Sequence, residues 1–385
     1  MKDNNNKLEP GTHFMLGNHA IAEAAIIAGC KFFGAYPITP ATPIAERLSY
    51  RLLDAGGEFI QMEDEIAAAI SLIGASAAGA KSMTATSGPG LSLMVESIGL
   101  SYVMEIPIII VDIMRGGPST GMPTLTSQGD IMQARYGSHG DYDMIAYCPS
   151  TVQECFDFTI KAFNAAEKYR TPVIVLGDQI LGLSTANFTV PPHDEIEIID
   201  RVKPADDDPE YKVYNPEYLI APMAVAGQGH RVHMTGLTHD ERGYPATDPA
   251  NHAIMMKHLR DKIELNVDEI VEYDEFMMED AEIAIVAFGS NARPVKQAIR
   301  KARELGYKVG LWRPITIWPF PEKQILELSQ KVNKIIVAEV NLGQYVHPVR
   351  EYADRTKCEI YSLTHPGGAI HTPDDVLEKI EEVMK

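Results

Sequence analysis

The sequence predicts an α/β protein with two parallel-sheet domains of unequal size. Strand-length apolar segments alternate with helical segments through the first half of the 385-residue chain, a pattern typical of a parallel sheet covered on both faces. The alternation is lost in the middle of the chain and then resumes. We therefore expect a first domain over residues 1–190, an extended connector over 191–275 and a smaller α/β domain over 276–385.

In the first domain, short apolar runs bounded by turn residues predict five strands. They are expected at residues 31–36, 58–62, 82–86, 107–114 and 173–177. A helix is predicted over residues 66–78, between the second and third of these strands. Its expected buried face consists of Ile66, Ala69, Ile70, Ile73 and Ala77.

In the second domain, strands are predicted at residues 283–288, 308–312 and 334–340. A helix after the first of them carries an apolar stripe of Val295, Ala298, Ile299, Ala302 and Leu305. A final helix is expected to begin at a Thr372 cap followed by proline. The connector before this domain has no periodicity, and its aromatic content indicates that it packs on the rest of the protein.

Composition excludes several classes of function. The chain has 53 acidic and 34 basic residues and a formal net charge of -19, so neither general nucleic-acid binding nor docking on an anionic membrane is expected. The first ten residues are polar, and no apolar run approaches the length of a membrane span, so we expect a cytoplasmic protein without a signal peptide. The four cysteines have no CxxC spacing, which argues against a cluster or zinc site on this chain.

Four unusual loops follow successive strands of the first domain. They are residues 36–40 (YPITP), 63–65 (EDE), 86–90 (TSGPG) and 115–118 (RGGP). Because parallel strands point the same way, these loops are expected at one edge of the sheet, where open α/β sheets bind ligands. Glu65 opens an almost wholly apolar helix. It could simply complement the helix dipole, but a part-buried carboxylate there also suits proton transfer to a ligand.

Residues 62–90 resemble the pyrimidine-binding domain of thiamine diphosphate enzymes, in which a glutamate opens an Ala-rich helix and a TSGPG turn follows the next strand. In that superfamily the glutamate hydrogen-bonds N1′ of the aminopyrimidine, and the resemblance gives this catalytic and cofactor-binding role to Glu65. It also implies that the turn, with Gly88 and Pro89, brings its backbone close to the flat ring.

With the YPITP and RGGP loops included, the whole chain is similar to α subunits of 2-oxoacid:ferredoxin oxidoreductases. Residues 137–141 (GSHGD) and 236–245 (GLTHDERGYP) indicate the 2-oxoglutarate branch. The resemblance implies that Thr39 and Arg115 contact the 2-oxoacid, and a guanidinium suits a carboxylate. Two alternatives stay open: Thr39 could only close a turn, and Arg115 could pair with Asp112 or Asp130.

The magnesium motif of thiamine enzymes, Gly-Asp-Gly, has only a near match at residues 177–179 (GDQ). No metal site is therefore predicted on this chain. The resemblance implies a partner β subunit that binds the diphosphate and Mg²⁺, possible γ and ferredoxin-like δ subunits, and [4Fe-4S] clusters on these partners. The second domain resembles the C-terminal domain of transketolase-type proteins. Residues 289–291 (GSN) could bind an anion such as that of coenzyme A, although a helix cap is favoured.

The implied activity is oxidative decarboxylation of 2-oxoglutarate with coenzyme A to succinyl-CoA and CO₂, with reduction of ferredoxin. Pyruvate or a branched-chain 2-oxoacid is the alternative substrate. A split, non-oxidative thiamine-dependent lyase and a non-catalytic scaffold subunit are the alternative functions.

Overall fold

The computed structural model of the chain describes residues 6–206 and 208–385. Residues 1–5, which belong to the polar N-terminal segment, and Asp207 of the connector lie outside the described residues. The predicted α/β class is confirmed, since mostly parallel sheets are flanked by helices. Within the described residues, no helix combines the length and the apolar character needed to cross a bilayer.

The described chain forms strands and helices in regular alternation over most of its length. The strands are β1 Gly11–Leu16, β2 Cys30–Ala35, β3 Glu58–Gln61, β4 Lys81–Thr86, β5 Ile108–Gly116, β6 Met122–Thr126, β7 Ile145–Tyr147, β8 Pro172–Asp178, β9 Thr185–Val190, β10 Tyr273–Phe276, β11 Ile283–Ala287, β12 Val309–Pro314, β13 Thr316–Trp318, β14 Lys334–Glu339 and β15 Glu359–Thr364. The α-helices are α1 Gly17–Ile27, α2 Thr42–Asp54, α3 Glu65–Ala77, α4 Gly88–Val103, α5 Ile131–Tyr136, α6 Val152–Tyr169, α7 Gln179–Leu183, α8 Pro249–Glu264, α9 Val267–Ile270, α10 Ala292–Glu304, α11 Glu322–Lys331, α12 Val346–Tyr352 and α13 Pro373–Met384.

The large first sheet has the strand order β13-β7-β8-β5-β4-β2-β3, with β6 paired to β5. The strands from β7 to β3 are parallel, whereas β13 and β6 are antiparallel to their neighbours. All five strands predicted for this region are confirmed, as β2, β3, β4, β5 and β8. Helices α1, α2 and α6 pack on one face of the sheet, and α3 and α4 pack on the other.

A second sheet, of order β10-β12-β11-β14-β15, is formed by residues of the C-terminal part. One apolar cluster joins a face of this sheet to the α3–α4 side of the first sheet, and another lies under α10 and α13. The predicted stripe on α10 is buried as expected, except that Leu305, just after the helix, is exposed. Thr372 caps α13 with a full capping box, as predicted.

The connector packs on the first sheet through buried charges. Arg201 forms an ion pair with Glu167 of α6, and Lys262 forms one with Glu105; all four side chains are almost fully buried. The sequence analysis missed α8, the sixteen-residue helix that carries Lys262. Its hydrophobic positions do not form one clear stripe, because this helix is anchored by polar and charged contacts as well as by Met255 and Leu259.

The predicted buried face of α3 is partly wrong. Ala69 and Ile73 are buried, but Ile66 and Ile70 are 50% and 44% exposed. The helix instead turns Glu65, Ala68, Leu72 and Ser76 inward beside Ala69 and Ile73. Since α3 is apolar around most of its circumference, periodicity alone could not decide which apolar face is covered within this chain.

Candidate active site at the carboxyl edge of the first sheet

The four loops singled out in the sequence emerge side by side. Strands β5, β4, β2 and β3 are consecutive neighbours in the sheet and run parallel, so the segments that follow them share one edge. Arg115 is the second-last residue of β5 and does not belong to the loop after it, because β5 continues to Gly116. The edge therefore combines a carboxylate, a guanidinium and two glycine-containing turns.

Glu65 is the first residue of α3 and is only 6% exposed. Helix α3 begins there because Asp64 caps it, accepting a hydrogen bond of 2.7 Å from the Ala67 N–H. Asp64 supplies the side-chain cap, and Glu65 is the acidic residue of the first turn, where it can also complement the helix dipole. Glu65 instead packs against the TSGPG turn: a Cβ added to Gly90 would overlap Thr86 Oγ1 and lie 2.7 Å from Glu65 Oε1.

The same turn has an unsatisfied polar group. Ser87 is fully buried, and its Oγ has no hydrogen-bond partner. Gly90 and the Glu65 carboxylate are thus accompanied by a buried hydroxyl that is free to bond another group. A side chain at position 90 would clash with Thr86 and Glu65, so the close packing at this turn requires glycine.

Arg115 links the β5 and β2 loops. Its Nη1 donates a 2.6 Å hydrogen bond to the backbone carbonyl of Thr39, while its buried Nε has no partner. Thr39 itself is exposed, and its loop is fixed by the buried Asn18, whose Nδ2 donates to the Pro40 carbonyl at 2.8 Å. Arg115 therefore uses one donor to hold the loop and keeps other donors for a further partner.

The acids considered as partners of Arg115 interact mainly with each other. Asp112 on β5 and Asp130 before α5 bring their carboxyl groups together, and both are deeply buried. Burial, and then the adjacent Asp130, raise the pKa of Asp112 well above its usual range. Burial also raises the pKa of Asp130 to about 6, although Asp112 and the Arg115 charge oppose this.

Arg115 lines a cavity of about 420 Å³ between the first sheet and the second domain. Gly88 and Pro89 line it from the TSGPG turn, and Asp130 lines it from the start of α5. Asn341 and Gln344, which follow β14, close the other side. The two domains are tied together at this point. The ties are hydrogen bonds from Gln128 N to Val340 O, from Asn341 Nδ2 to Gln128 O and from Gln344 Nε2 to Gly129 O.

The partial magnesium motif has a different role in the fold. Asp178 is buried, and its carboxylate accepts hydrogen bonds from the N–H groups of Leu181 and Ser290. The hydrogen bond to Asp178 occupies the Ser290 N–H of the 289–291 segment. The Asn291 side chain donates to the Ala338 carbonyl and accepts from the His371 N–H, and it does not cap a helix. Among the described residues, no group of three or more His, Cys, Asp or Glu side chains could hold a metal ion.

Sequence reasoning missed the pairing of Asp112 with Asp130 and the contribution of residues after β14. A charged residue inside the apolar run of β5 was a usable signal for Asp112. Asp130 resembles a helix cap in the sequence, yet its side chain makes no cap hydrogen bond. Asn341 and Gln344 gave no local signal, because their role depends on how the two domains pack.

The GSHGD and GLTHDERGYP segments, far apart in the sequence, meet at a separate cavity of about 610 Å³. Its lining includes Ser138, His139, Thr235 and Leu237, together with Met255 of α8.

Comparison with protein families matches residues 23–258 to the model described as pyruvate flavodoxin/ferredoxin oxidoreductase, thiamine diphosphate-binding. Residues 281–376 match pyruvate:ferredoxin oxidoreductase core domain II. The first match contains all the loops of the candidate site, and the second contains the residues that close the cavity after β14.

Comparison with individual proteins agrees. The chain is 50% identical, over 94% of its length and 97% of the relative's, to 2-oxoglutarate synthase subunit KorA of Methanocaldococcus jannaschii. It is similar to the solved 2-oxoglutarate:ferredoxin oxidoreductase from Magnetococcus marinus with 2-oxoglutarate, coenzyme A and succinyl-CoA bound, with a TM-score of 0.92 and 38% identity. That match covers 97% of this chain and 65% of the neighbour's chain. A split gene transketolase matches at a TM-score of 0.55 and 12% identity over 96% and 98% of the two chains, a likeness of fold alone.

Proposed function

The chain belongs to the pyruvate flavodoxin/ferredoxin oxidoreductase family, and on that premise we propose that it is the α subunit of a 2-oxoglutarate:ferredoxin oxidoreductase. The reaction would be oxidative decarboxylation of 2-oxoglutarate with coenzyme A to succinyl-CoA and CO₂, with electrons passed to ferredoxin. The proposal depends chiefly on one observation: the buried Glu65 carboxylate packs against the TSGPG turn. Both lie in the region that matches a family model described as thiamine diphosphate-binding.

The residues at this edge fit the aminopyrimidine half of thiamine diphosphate. The glycine at position 90 lets Glu65 pack closely against the turn, the unpartnered Ser87 hydroxyl offers a hydrogen bond, and Glu65 would hold a proton shared with a ring nitrogen. When bound, thiamine diphosphate supplies the nucleophilic carbon and the electron sink of the reaction. Gly88 and Pro89 would support the ring from the same turn.

Thr39 and Arg115 are proposed to hold the 2-oxoacid. Arg115 reaches the cavity with donors left over after its bond to the Thr39 carbonyl, and a guanidinium makes charge-assisted bonds to a carboxylate. The exposed Thr39 hydroxyl would donate to the 2-oxo oxygen, where negative charge develops. Both residues would thereby fix the orientation of the substrate.

The diphosphate half of the cofactor does not fit this chain. The described residues hold no acid cluster for a metal, and Asp178 is committed to its two backbone donors. The four cysteines are all buried at separate positions rather than grouped for a cluster. We therefore assign the diphosphate and Mg²⁺ to a β subunit, and the [4Fe-4S] clusters to the β subunit or to γ and ferredoxin-like δ subunits.

Exposed apolar side chains beside the site support such a partner. Ile66 and Ile70 on α3 and Leu93 on α4 are each between 44% and 50% exposed, and they lie on the two helices that Glu65 and the TSGPG turn begin. A subunit seated there would cover this apolar surface and complete the cleft around the cofactor.

The test is a reconstituted complex assayed for reduction of ferredoxin or a viologen dye with coenzyme A and each of three acids: 2-oxoglutarate, pyruvate and 2-oxoisovalerate. We expect CoA-dependent reduction, an iron-containing complex and the highest kcat/KM with 2-oxoglutarate. Preference for another 2-oxoacid would refute the substrate assignment. Carbon–carbon bond formation without dye reduction would replace the proposal by a non-oxidative lyase.

A matched pair of variants tests the role of Glu65 in the same complex. Glu65→Gln is expected to lower kcat by roughly 10²- to 10⁴-fold, because an amide cannot take up the proton. The control is Glu63→Gln, which alters an exposed acid two residues earlier and should leave kcat unchanged. Unchanged turnover in Glu65→Gln would support the scaffold alternative instead.

A further inference from the structure

Two buried carboxyl groups at the site have no part in the function proposed above. Asp112 lies in the middle of the apolar strand β5 and is fully buried, and neither of its oxygens accepts a hydrogen bond from a donor within residues 6–206 or 208–385. Within the same residues, Asp130 also has a buried oxygen without a donor. A buried acid that stabilises a fold is normally surrounded by donors, so this arrangement calls for another explanation.

The two carboxyl groups lie beside the proposed substrate and cofactor contacts. A Cβ added to Gly88 would lie 3.1 and 3.2 Å from the two Asp130 carboxylate oxygens, so the Asp130 side chain packs against the TSGPG turn. Asp130 also lines the cavity that Arg115 enters. The pair therefore connects the turn to the guanidinium.

Two adjacent buried carboxyl groups cannot both ionise easily, because like charges repel strongly in a medium of low dielectric constant. Burial raises the pKa of both groups, to about 6 for Asp130 and well above the usual range for Asp112. Sharing one proton is therefore favoured over carrying two charges, and the Arg115 charge lowers the pKa of both groups.

Arg115 is the charged side chain, among those the structure describes, whose field acts on both acids. Other charged groups brought to this end of the sheet include Glu63, Asp64 and Glu65 at the start of α3, Asp178 on β8 and Arg135 on α5. Glu65 packs on Gly90, Asp178 accepts its two backbone bonds, and Arg135 pairs with Asp143. The second domain contributes the neutral Asn341 and Gln344.

We propose that Asp112 and Asp130 are positioning residues that share one proton behind Arg115 and couple binding of the substrate carboxylate to uptake of a second proton. The inference rests on the proposed function, since it takes Arg115 as the residue that binds the carboxylate. The proton balance is as follows: at most one proton leaves the solvent and binds to the Asp112–Asp130 pair for each substrate anion that binds. The uptake reaches one proton when the free pair is fully ionised to one charge and the bound pair is fully neutral.

The sign of the coupling follows from charge. An anion on Arg115 offsets the positive charge that stabilises the ionised pair, so the pKa of the pair rises when substrate binds. Binding is therefore strongest below about pH 6, where the pair is already neutral, and weakens as the pH rises from the pKa of the free pair to that of the bound pair. Each unit of difference between these values corresponds to roughly a tenfold change in KM.

The first experiment measures KM for 2-oxoglutarate in the assembled complex from about pH 5.5 to about pH 8.5. For the wild type we expect KM to rise by roughly three- to tenfold over this interval. In Asp130→Asn this rise should disappear, because the amide donates to an ionised Asp112 and the second titrating group of the pair is lost. The control Asp194→Asn, at an exposed aspartate of the 193–195 turn, should keep the wild-type profile.

A purely structural role for the pair would instead lower activity equally at all pH values. A flat wild-type profile, or a profile in Asp130→Asn identical to that of the wild type, overturns the inference. If the wild-type complex does not turn over 2-oxoglutarate at all, the proposed function has failed rather than this inference.

A second measurement does not depend on turnover. Calorimetric titration of the complex with the non-reacting dicarboxylate N-oxalylglycine, in two buffers of different ionisation enthalpy, counts the protons taken up per ligand. At pH close to 7 we expect a fractional uptake by the wild type that Asp130→Asn abolishes. No uptake by the wild type as it binds the ligand would overturn the inference, even if the variant were too unstable to compare.

Discussion

Each of the two larger sheets buries an acid, and the two acids have opposite hydrogen-bond environments. Glu339 at the end of β14 is fully buried and accepts hydrogen bonds from the N–H groups of Gln344, Tyr345 and Val346, at 2.8–3.1 Å. Asp112 on β5 is equally buried, but among the described residues no donor bonds its carboxyl oxygens, and the Asp130 carboxyl group lies beside it. Glu339 therefore organises the turn before α12, whereas Asp112 organises no backbone segment in this way.

The same contrast holds for buried arginines. Arg313 on β12 is tied to Glu154 through two donors and to Ser150 as well. Arg115 on β5 makes one bond to a backbone carbonyl and keeps donors for the cavity. The comparison indicates that the second sheet uses its buried charges for structure and that the first sheet leaves some of them available for ligands.

The largest effect on KM is expected for Arg115→Lys, which tests whether Arg115 binds a ligand while Arg313 has a structural role. A lysine keeps the charge but loses the planar pair of donors, so KM for the 2-oxoacid should rise roughly 10- to 100-fold in the assembled complex. The matched change Arg313→Lys should weaken folding and leave KM unchanged. Equal KM effects from both substitutions would break the distinction drawn between the two arginines.

A smaller effect, on stability, is expected for Glu339→Gln. The amide group of glutamine places donors opposite backbone N–H groups, so the free energy of unfolding should fall by about 1–3 kcal/mol. Denaturant titration measures this change, while kcat per folded molecule should stay the same. A variant as stable as the wild type would show that the three hydrogen bonds are not what holds this turn.

The smallest effect is expected for the counterpart, Asp112→Asn. Because the asparagine amide can donate to Asp130 as the protonated Asp112 does, the free energy of unfolding should change by less than about 1 kcal/mol. The measurement is the same titration, run beside Glu339→Gln. A loss as large as that of Glu339→Gln would mean that Asp112 is a structural acid after all.

Much of the fold could be predicted from the sequence because its signals are local. The α10 stripe and the Thr372 capping box depend on residues only three or four positions apart, and both were found. The exposed face of α3 could not be predicted, since Ile66 and Ile70 look like core residues and nothing in the described part of the chain covers them. Helix α8 was missed because charged anchors such as Lys262 hold it as much as an apolar stripe does.

The arrangement of the loops at the candidate site was predictable to the same degree. Glu65, Arg115 and the TSGPG turn were marked by their positions after parallel strands, and the structure brings these loops to one edge. The pairing of Asp112 with Asp130 was not predictable, because it depends on the path of the chain between β5 and α5. The contribution of Asn341 and Gln344 depends on the packing of one sheet on another, which no short segment encodes.

In the proposed function, Glu65 holds the aminopyrimidine of thiamine diphosphate, and a partner subunit binds the other half of the coenzyme. The most direct test is a structure of the assembled complex with thiamine diphosphate bound. We expect the Glu65 carboxylate within hydrogen-bond distance of a ring nitrogen, with the ring lying against Gly88 and Gly90. A pyrimidine held by a different glutamate, or one turned away from this turn, would contradict it.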